Sequence, residues 1–182
     1  IFKGKLETLL QHPDITKEQF VMLDELNDTT NRLNRLNKNL LLLSKIESKQ
    51  YNVPETVILN SVISKQMDFF KEQSIAKNIK INTDIELDCT VKANSFLTEI
   101  MVKNLFLNAV NHNVKNGFIN ITLNKTKLIF SNTGNSKSLQ TDRLFERFSK
   151  VNPSSKGNGL GLSIIKKIAE SNAWEVRYYF EN

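Results

Sequence analysis

Phe2, Leu6, Leu9 and Leu10 recur at helical spacing with no capping residue ahead of them, so the first helix is expected to begin before Ile1. His12-Pro13-Asp14 interrupts the pattern, and Thr16 with Gln19 three residues later forms a capping box for a second helix. From Lys17 to about Lys49 there is neither glycine nor proline. Within that run Leu26, Leu33, Leu36, Leu40 and Leu43 fall at a and d positions of a heptad, predicting a helix of about 50 Å at 1.5 Å per residue. Such a seam needs a partner. Two helices leave half of their apolar surface wet, so dimerisation into a four-helix bundle completes them; the alternative is a helix lying on its own domain.

Asn52-Val53-Pro54 punctuates a boundary between 1–51, a helical hairpin, and 52–182, where the pattern becomes mixed. It predicts a strand near Thr56–Leu59, a helix over Ser61–Lys77, a strand near Ile79–Asp84 and a helix from Asn94 to about Asn113. Two strands follow, Phe118–Leu123 and Lys127–Asn132, joined by a tight turn at Asn124-Lys125. A polar stretch, Gly134 to Asn158, shows no clear period; a helix over Gly159–Glu170 and a strand over Trp174–Phe180 follow. The expected class is α+β.

Of the 182 residues 40% are hydrophobic and 24% charged, with 3 prolines and 6 glycines, which excludes disordered, collagen-like and low-complexity classes. One cysteine, Cys89, cannot close an internal disulfide, and no Cys/His spacing suits zinc. No stretch approaches the roughly 20 apolar residues of a membrane span, so a cytoplasmic portion is expected, with any membrane contact made through regions before Ile1. The net charge of +6 would permit a nucleic-acid partner. However, residues 1–51 are balanced at 8 basic and 7 acidic side chains. The excess gathers between Lys137 and Lys167, where seven basic residues face only Asp142 and Glu146, a local anion site rather than a nucleic-acid stripe.

Two features carry chemistry. Asn104, Asn108, Asn111 and His112 stand at i, i+4, i+7 and i+8 on one side of a helix otherwise apolar through Val102, Leu105, Phe106, Ala109 and Val110. Inward amides cost stability unless their donors and acceptors are met, so a polar ligand would explain them; a solvated asparagine-rich face would too. The second feature is Lys156-Gly157-Asn158-Gly159-Leu160-Gly161-Leu162, half of all the glycines at the opening of a helix. Alternate glycines let backbone N–H groups approach an anion, and the helix N-terminus adds about half a positive charge. The spacing fits neither a P-loop nor a dinucleotide fingerprint. Gly134, after a strand, lets backbone approach a flat ligand as well.

In order, Asn104-x-x-x-Asn108-Ala109, Asn132-x-Gly134, Leu144-Phe145-Glu146-Arg147-Phe148 and Gly157-Asn158-Gly159-Leu160-Gly161-Leu162 resemble the N, G1, F and G2 boxes of sensor histidine kinases. Residues 17–51, with Leu41-Leu42-Leu43-Ser44-Lys45-Ile46-Glu47, are similar to the second helix of their dimerisation and phosphotransfer domain. The resemblance implies a two-layer α/β sandwich of the Bergerat ATP-binding type on a dimerising hairpin, with ATP and Mg2+ as ligands. It implies that Asn108 holds the metal, that Asn104 supports it, and that Asn111 and His112 reach phosphate or ribose. Gly134 would close the adenine slot, Asn135 to Lys156 would form a lid, and Gly157, Gly159, Leu160 and Gly161 would cradle phosphate. Arg147, Lys150 and Lys156 become charge partners for the triphosphate, and Phe145 and Phe148 would pin the lid to the core.

Three departures accompany the resemblance. The family's adenine-reading aspartate is Asn132, whose amide can still accept from the N6 amine, and the box's second glycine is Ser136. The family's phosphoaccepting histidine motif is absent: His12 lies in the hairpin turn and His112 in the expected ATP site. The sandwich also usually carries a further strand after the one near Trp174–Phe180. The implied activity is transfer of the ATP γ-phosphoryl group to a histidine outside this chain and on to a response-regulator aspartate, in a homodimer and without nucleic acid. The rival expectation is a nucleotide-sensing or pseudokinase scaffold acting by dimer contacts.

Overall fold

The computed structural model describes residues 2–51, 53–134, 143–149 and 158–181. The chain divides into two compact units, Ile1–Ser44 and Lys45–Asn182. In the first, α1 (Phe2–Leu10) turns into α2 (Lys17–Glu47), whose last three residues belong to the second unit. The capping box forms as its residues require: the Gln19 N–H donates to Thr16 Oγ1 at 3.2 Å, and the Thr16 N–H donates to Gln19 Oε1 at 3.0 Å. Leu6 and Leu43 are buried, whereas Phe20, Val21, Met22, Leu26, Leu33 and Leu41 are exposed. The helical hairpin is therefore present, with much of its apolar stripe facing outward.

The second unit is an α+β sandwich. It is built from β1 (Glu55–Ile58), α3 (Leu59–Ala76), β2 (Lys80–Ile85), β3 (Thr90–Ala93), α4 (Ser95–Asn111), β4 (Phe118–Leu123), β5 (Leu128–Asn132) and α5 (Gly161–Ser171). β1 pairs antiparallel with β3, Glu55 opposite Ala93. The main sheet runs β2-β4-β5, with β2 parallel to β4 and Lys80 opposite Phe118. β5 is antiparallel to β4, with Ile119 opposite Asn132. The turn between β4 and β5 is an asparagine turn: Asn124 Oδ1 accepts from the N–H of Thr126 and of Lys127, each at 3.0 Å.

β4 alternates in the manner of a half-buried strand, turning Ile119, Ile121 and Leu123 inward, where Phe106 of α4 stacks on Phe70 of α3 at 5.5 Å and meets Phe130 edge-on at 4.9 Å. These contacts hold α3 and α4 on the sheet, and α5 packs against α4 through its own apolar face of Ile164, Ile165 and Ile168. The start of α4 is doubly capped. Asn94 Oδ1 accepts from the Leu97 N–H at 3.1 Å, and Glu55 Oε1 accepts from the Ser95 N–H at 3.2 Å; the Ser95 hydroxyl first and this backbone bond second hold the Glu55 carboxyl below its ordinary pKa.

Four expectations are corrected. β3 was absent from the predicted elements, because a run of four residues carries little pattern and its partner strand lies far back along the chain. α5 starts at Gly161 rather than Gly159, whose φ of +68° is incompatible with a right-handed helix. Trp174–Phe180 alternates in burial like a strand yet pairs with none of the described strands, after Ala173 at φ +56° turns the chain out of α5. Phe148 is 55% exposed and pins nothing to the core; in that segment Leu144 is the buried anchor. Cys89 is buried and free, its thiol pushed up in pKa mainly by that burial.

Candidate functional site

α4 positions the asparagines one turn apart. Asn104 and Asn108 are half-buried, and both amides end against the first residue of α5: a Cβ on Gly161 would stand 3.2 Å from Asn104 Oδ1 and 3.5 Å from Asn108 Oδ1. Asn104 Nδ2 donates back to the Ile100 carbonyl at 2.8 Å, which aims its oxygen at Gly161. Asn108 Nδ2 is buried and bonds to none of the described residues. An unmet buried amide costs about 1–3 kcal/mol, a cost that a polar ligand at this point would remove.

The glycine turn explains why the two helices meet so closely. At Gly159 a Cβ would lie 2.7 Å from the carbonyl carbon of Phe148 and 2.9 Å from the Ser149 oxygen, and the left-handed φ adds a second reason for glycine. Leu160, only 1% exposed, anchors the turn, and Ser163 Oγ donates to its carbonyl at 2.9 Å. The first N–H groups of the 11-residue α5 thus open beside the two amides, an arrangement suited to an anion.

The remaining candidates divide. Asn111 and His112 are exposed at the end of α4, where the His112 backbone N–H caps Asn108 at 3.0 Å. Desolvation first, and the Lys77 ammonium second, hold the His112 imidazole below its ordinary pKa, so the ring stays neutral to lower pH. Asn132 ends β5 exposed, its Nδ2 donating to the neighbouring Thr133 carbonyl at 2.9 Å, and a Cβ at Gly134 would find none of the described residues within 4 Å. Arg147 binds Glu47 at 2.5 Å instead of standing free for a phosphate. Lys150, Lys156 and Gly157 lie outside the described residues, as do Ser136 and most of the expected lid. Sequence reasoning missed Glu47, for which the only signal is a carboxylate 100 residues away from its guanidinium. It also missed Asn113, which donates through Nδ2 to the Phe118 carbonyl at 2.9 Å and whose Oδ1 sits 2.1 Å from the Cβ position of Gly117, so that a side chain there would displace the Asn113 amide.

The sandwich thus sets an asparagine-bearing helix against a glycine-opened one. Residues 94–180 match the family of histidine kinase-, DNA gyrase B- and HSP90-like ATPases. The catalytic domain of histidine kinase ThkA is 28% identical with a TM-score of 0.56, over 66% of this chain and 82% of that one. The Acinetobacter baumannii histidine kinase AdeS shares the fold at 20% identity, with a TM-score of 0.65 over 93% of this chain and 81% of that chain. Among curated relatives, the heme sensor protein HssS of Staphylococcus epidermidis is 32% identical over 90% of this chain, and HssS of Staphylococcus aureus is 31% identical over 97%. The chain spans 38% and 40% of the length of those two relatives. The chain carries a catalytic ATPase domain of the sensor histidine kinase type.

Proposed function

We propose that this chain binds ATP with Mg2+ and supplies the nucleotide-binding and dimerising parts of a kinase that phosphorylates a histidine these 182 residues do not contain. The observation that carries the reading is the buried amide nitrogen of Asn108, which bonds to none of the described residues, beside Gly161 at the opening of α5. Asn108 would hold Mg2+, which takes oxygen ligands, with Asn104 in support. Among the described residues no group of three His, Cys, Asp or Glu side chains could hold a metal, so a cation here would depend on the nucleotide's own oxygens. Gly159, Leu160 and Gly161, with Gly157, Lys150 and Lys156 by resemblance, would cradle the phosphates. Asn111 and His112, at the end of the same helix, would face ribose or phosphate. Asn132 and Gly134 would receive the adenine. When bound, Mg2+ neutralises phosphate charge; the chain's own part is to bind the nucleotide and orient its γ-phosphoryl group.

The boundary at 51/52 separates the hairpin from this domain in the same reading. The exposed Leu26 and Leu33 of α2 support a homodimeric four-helix bundle, and among the described residues no helix is long and apolar enough to cross a membrane, which supports a cytoplasmic portion of a membrane-bound sensor. ThkA has been solved in complex with the response regulator protein TrrA, which supports a response-regulator receiver domain as the partner here. A scaffold without kinase activity is favoured by one observation: Asn132 turns its amide donor onto the neighbouring Thr133 carbonyl. Titration of the chain with an ATP analogue, with and without Mg2+, tests the reading. Metal-dependent binding is expected, and absence of binding overturns it. Incubation with radiolabelled ATP should leave no acid-labile phosphate on the chain; phosphohistidine at His12 or His112 would place the acceptor inside it.

A further inference from the structure

We infer that Glu47, the last residue of α2, is a positioning residue for the nucleotide site, coupling the state of that helix end to the geometry of the glycine turn. The inference rests on the nucleotide reading above. The Glu47 carboxylate accepts from Arg147 Nη2 at 2.5 Å and lies 3.9 Å from Lys167 Nζ, which also reaches Glu170 at 3.1 Å. Its two cations stand on different segments, Arg147 in the 143–149 turn and Lys167 on α5, and Gly159, two residues ahead of α5, lies against the main chain of that turn.

The contact there is backbone on backbone. Phe148, the residue after Arg147, holds a left-handed φ of +64°, uncommon for an aromatic residue, and its main chain fills the space where a Gly159 side chain would stand. From Gly159 the chain runs through buried Leu160 to Gly161, against which the Asn104 and Asn108 amides rest. One carboxylate therefore draws on both walls of the turn that would hold the phosphates. Withdrawing it, by fraying or rotating the last turn of α2, releases Arg147 and Lys167 together and loosens that turn. Linkage requires the reverse as well: a bound nucleotide favours the helical state of residues 45–47 by the same factor.

All three side chains are 35–45% exposed, so the effect is graded. Glu47→Gln should weaken binding of the Mg2+ complex of a non-hydrolysable ATP analogue by about two- to five-fold, the range of an exposed ion pair, and leave adenosine binding unchanged. Arg147→Gln should do the same, and the double variant should be no worse than either single one, since both remove one interaction. Amide exchange at 159–161 should quicken in each variant, and nucleotide should slow exchange at 45–47 in the parent. At about 1 M salt, where the screening length is about 3 Å, parent and Glu47→Gln should converge. Unchanged analogue affinity in Glu47→Gln, additive losses, or equal losses for adenosine would overturn the inference. A parent that binds no nucleotide overturns the nucleotide reading instead, and the exchange rates at 159–161 then still decide whether Glu47 holds the turn.

Discussion

The two ends of the candidate site are built in different ways. At the phosphate end, Asn104, Asn108, Gly159 and Gly161 are fixed by packing. Two amides abut one glycine, another glycine lies against main chain, and buried Leu160 locks the link between them. At the adenine end, Asn132 is exposed and its amide donates to its neighbour's carbonyl, and none of the described residues crowds Gly134. The first end is over-determined, so an error there propagates into the fold. The second is set by a strand terminus, and changes there should be felt by the ligand alone.

The sharpest way to break this contrast is Gly159→Ala. Its Cβ would stand 2.7 Å from the Phe148 backbone at a φ of +68°, so overpacking and left-handed strain combine to cost about 3 kcal/mol. A melting curve should show the loss, and ATP binding should fall with it. An unchanged melting temperature would mean the turn adapts freely. Next comes Asn108→Ala, which removes an unmet buried amide and the proposed metal ligand together. Folding stability should change little, whereas Mg2+-ATP binding should weaken by about 10- to 100-fold, the scale of a hydrogen bond to a charged group, with adenosine binding kept. Equal losses for both ligands, alongside a lowered melting temperature, would make Asn108 a structural residue.

The same contrast explains what could be read along the chain. The asparagine row on an apolar helix and the glycines at 157, 159 and 161 are local, and each pairs a residue type with a cost that needs an explanation, so α4 and the opening of α5 were legible. The capping box of Thr16 and Gln19 was legible for the same reason, since both bonds lie within four residues. What could not be read depends on partners far away. β3 exists because Thr90–Ala93 finds Glu55–Ile58, and Arg147 turns to Glu47 across 100 residues, contacts that no periodicity encodes. Trp174–Phe180 shows the opposite failure: alternation marks an extended chain, but a strand also needs a ladder. Where α5 starts was ambiguous because glycine suits both a helix opening and a left-handed turn, and only the backbone angle separates them.

At the adenine end the larger of two small effects belongs to Asn132→Ala. If its oxygen accepts from adenine N6, ATP affinity should fall by about 1 kcal/mol, a neutral hydrogen bond lost, and discrimination against GTP should shrink. Asn132→Asp should keep or strengthen the preference for adenine, because a charged acceptor makes the stronger bond. A ratio of ATP to GTP affinity that does not move in Asn132→Ala would make Asn132 a strand-end residue and strengthen the scaffold reading. The exposure of Asn132 also means that none of these variants should shift the melting temperature appreciably.

The smallest effect is expected for Gly134→Ala. None of the described residues lies within 4 Å of the added methyl and Gly134 does not hold a left-handed φ, so neither clash with them nor strain opposes it in the free protein. Stability should stay within about 0.5 kcal/mol of the parent, the range of surface substitutions that touch no special feature. Binding is where the methyl would be felt, since a glycine kept for close approach of a flat ring leaves no room for a side chain once the ring is seated. A loss of adenosine affinity at unchanged stability would therefore locate the base against residues 132–134, independently of any phosphate contact. A loss of stability without a loss of affinity would show instead that Gly134 packs against chain, and the adenine end would then be as tightly determined as the phosphate end.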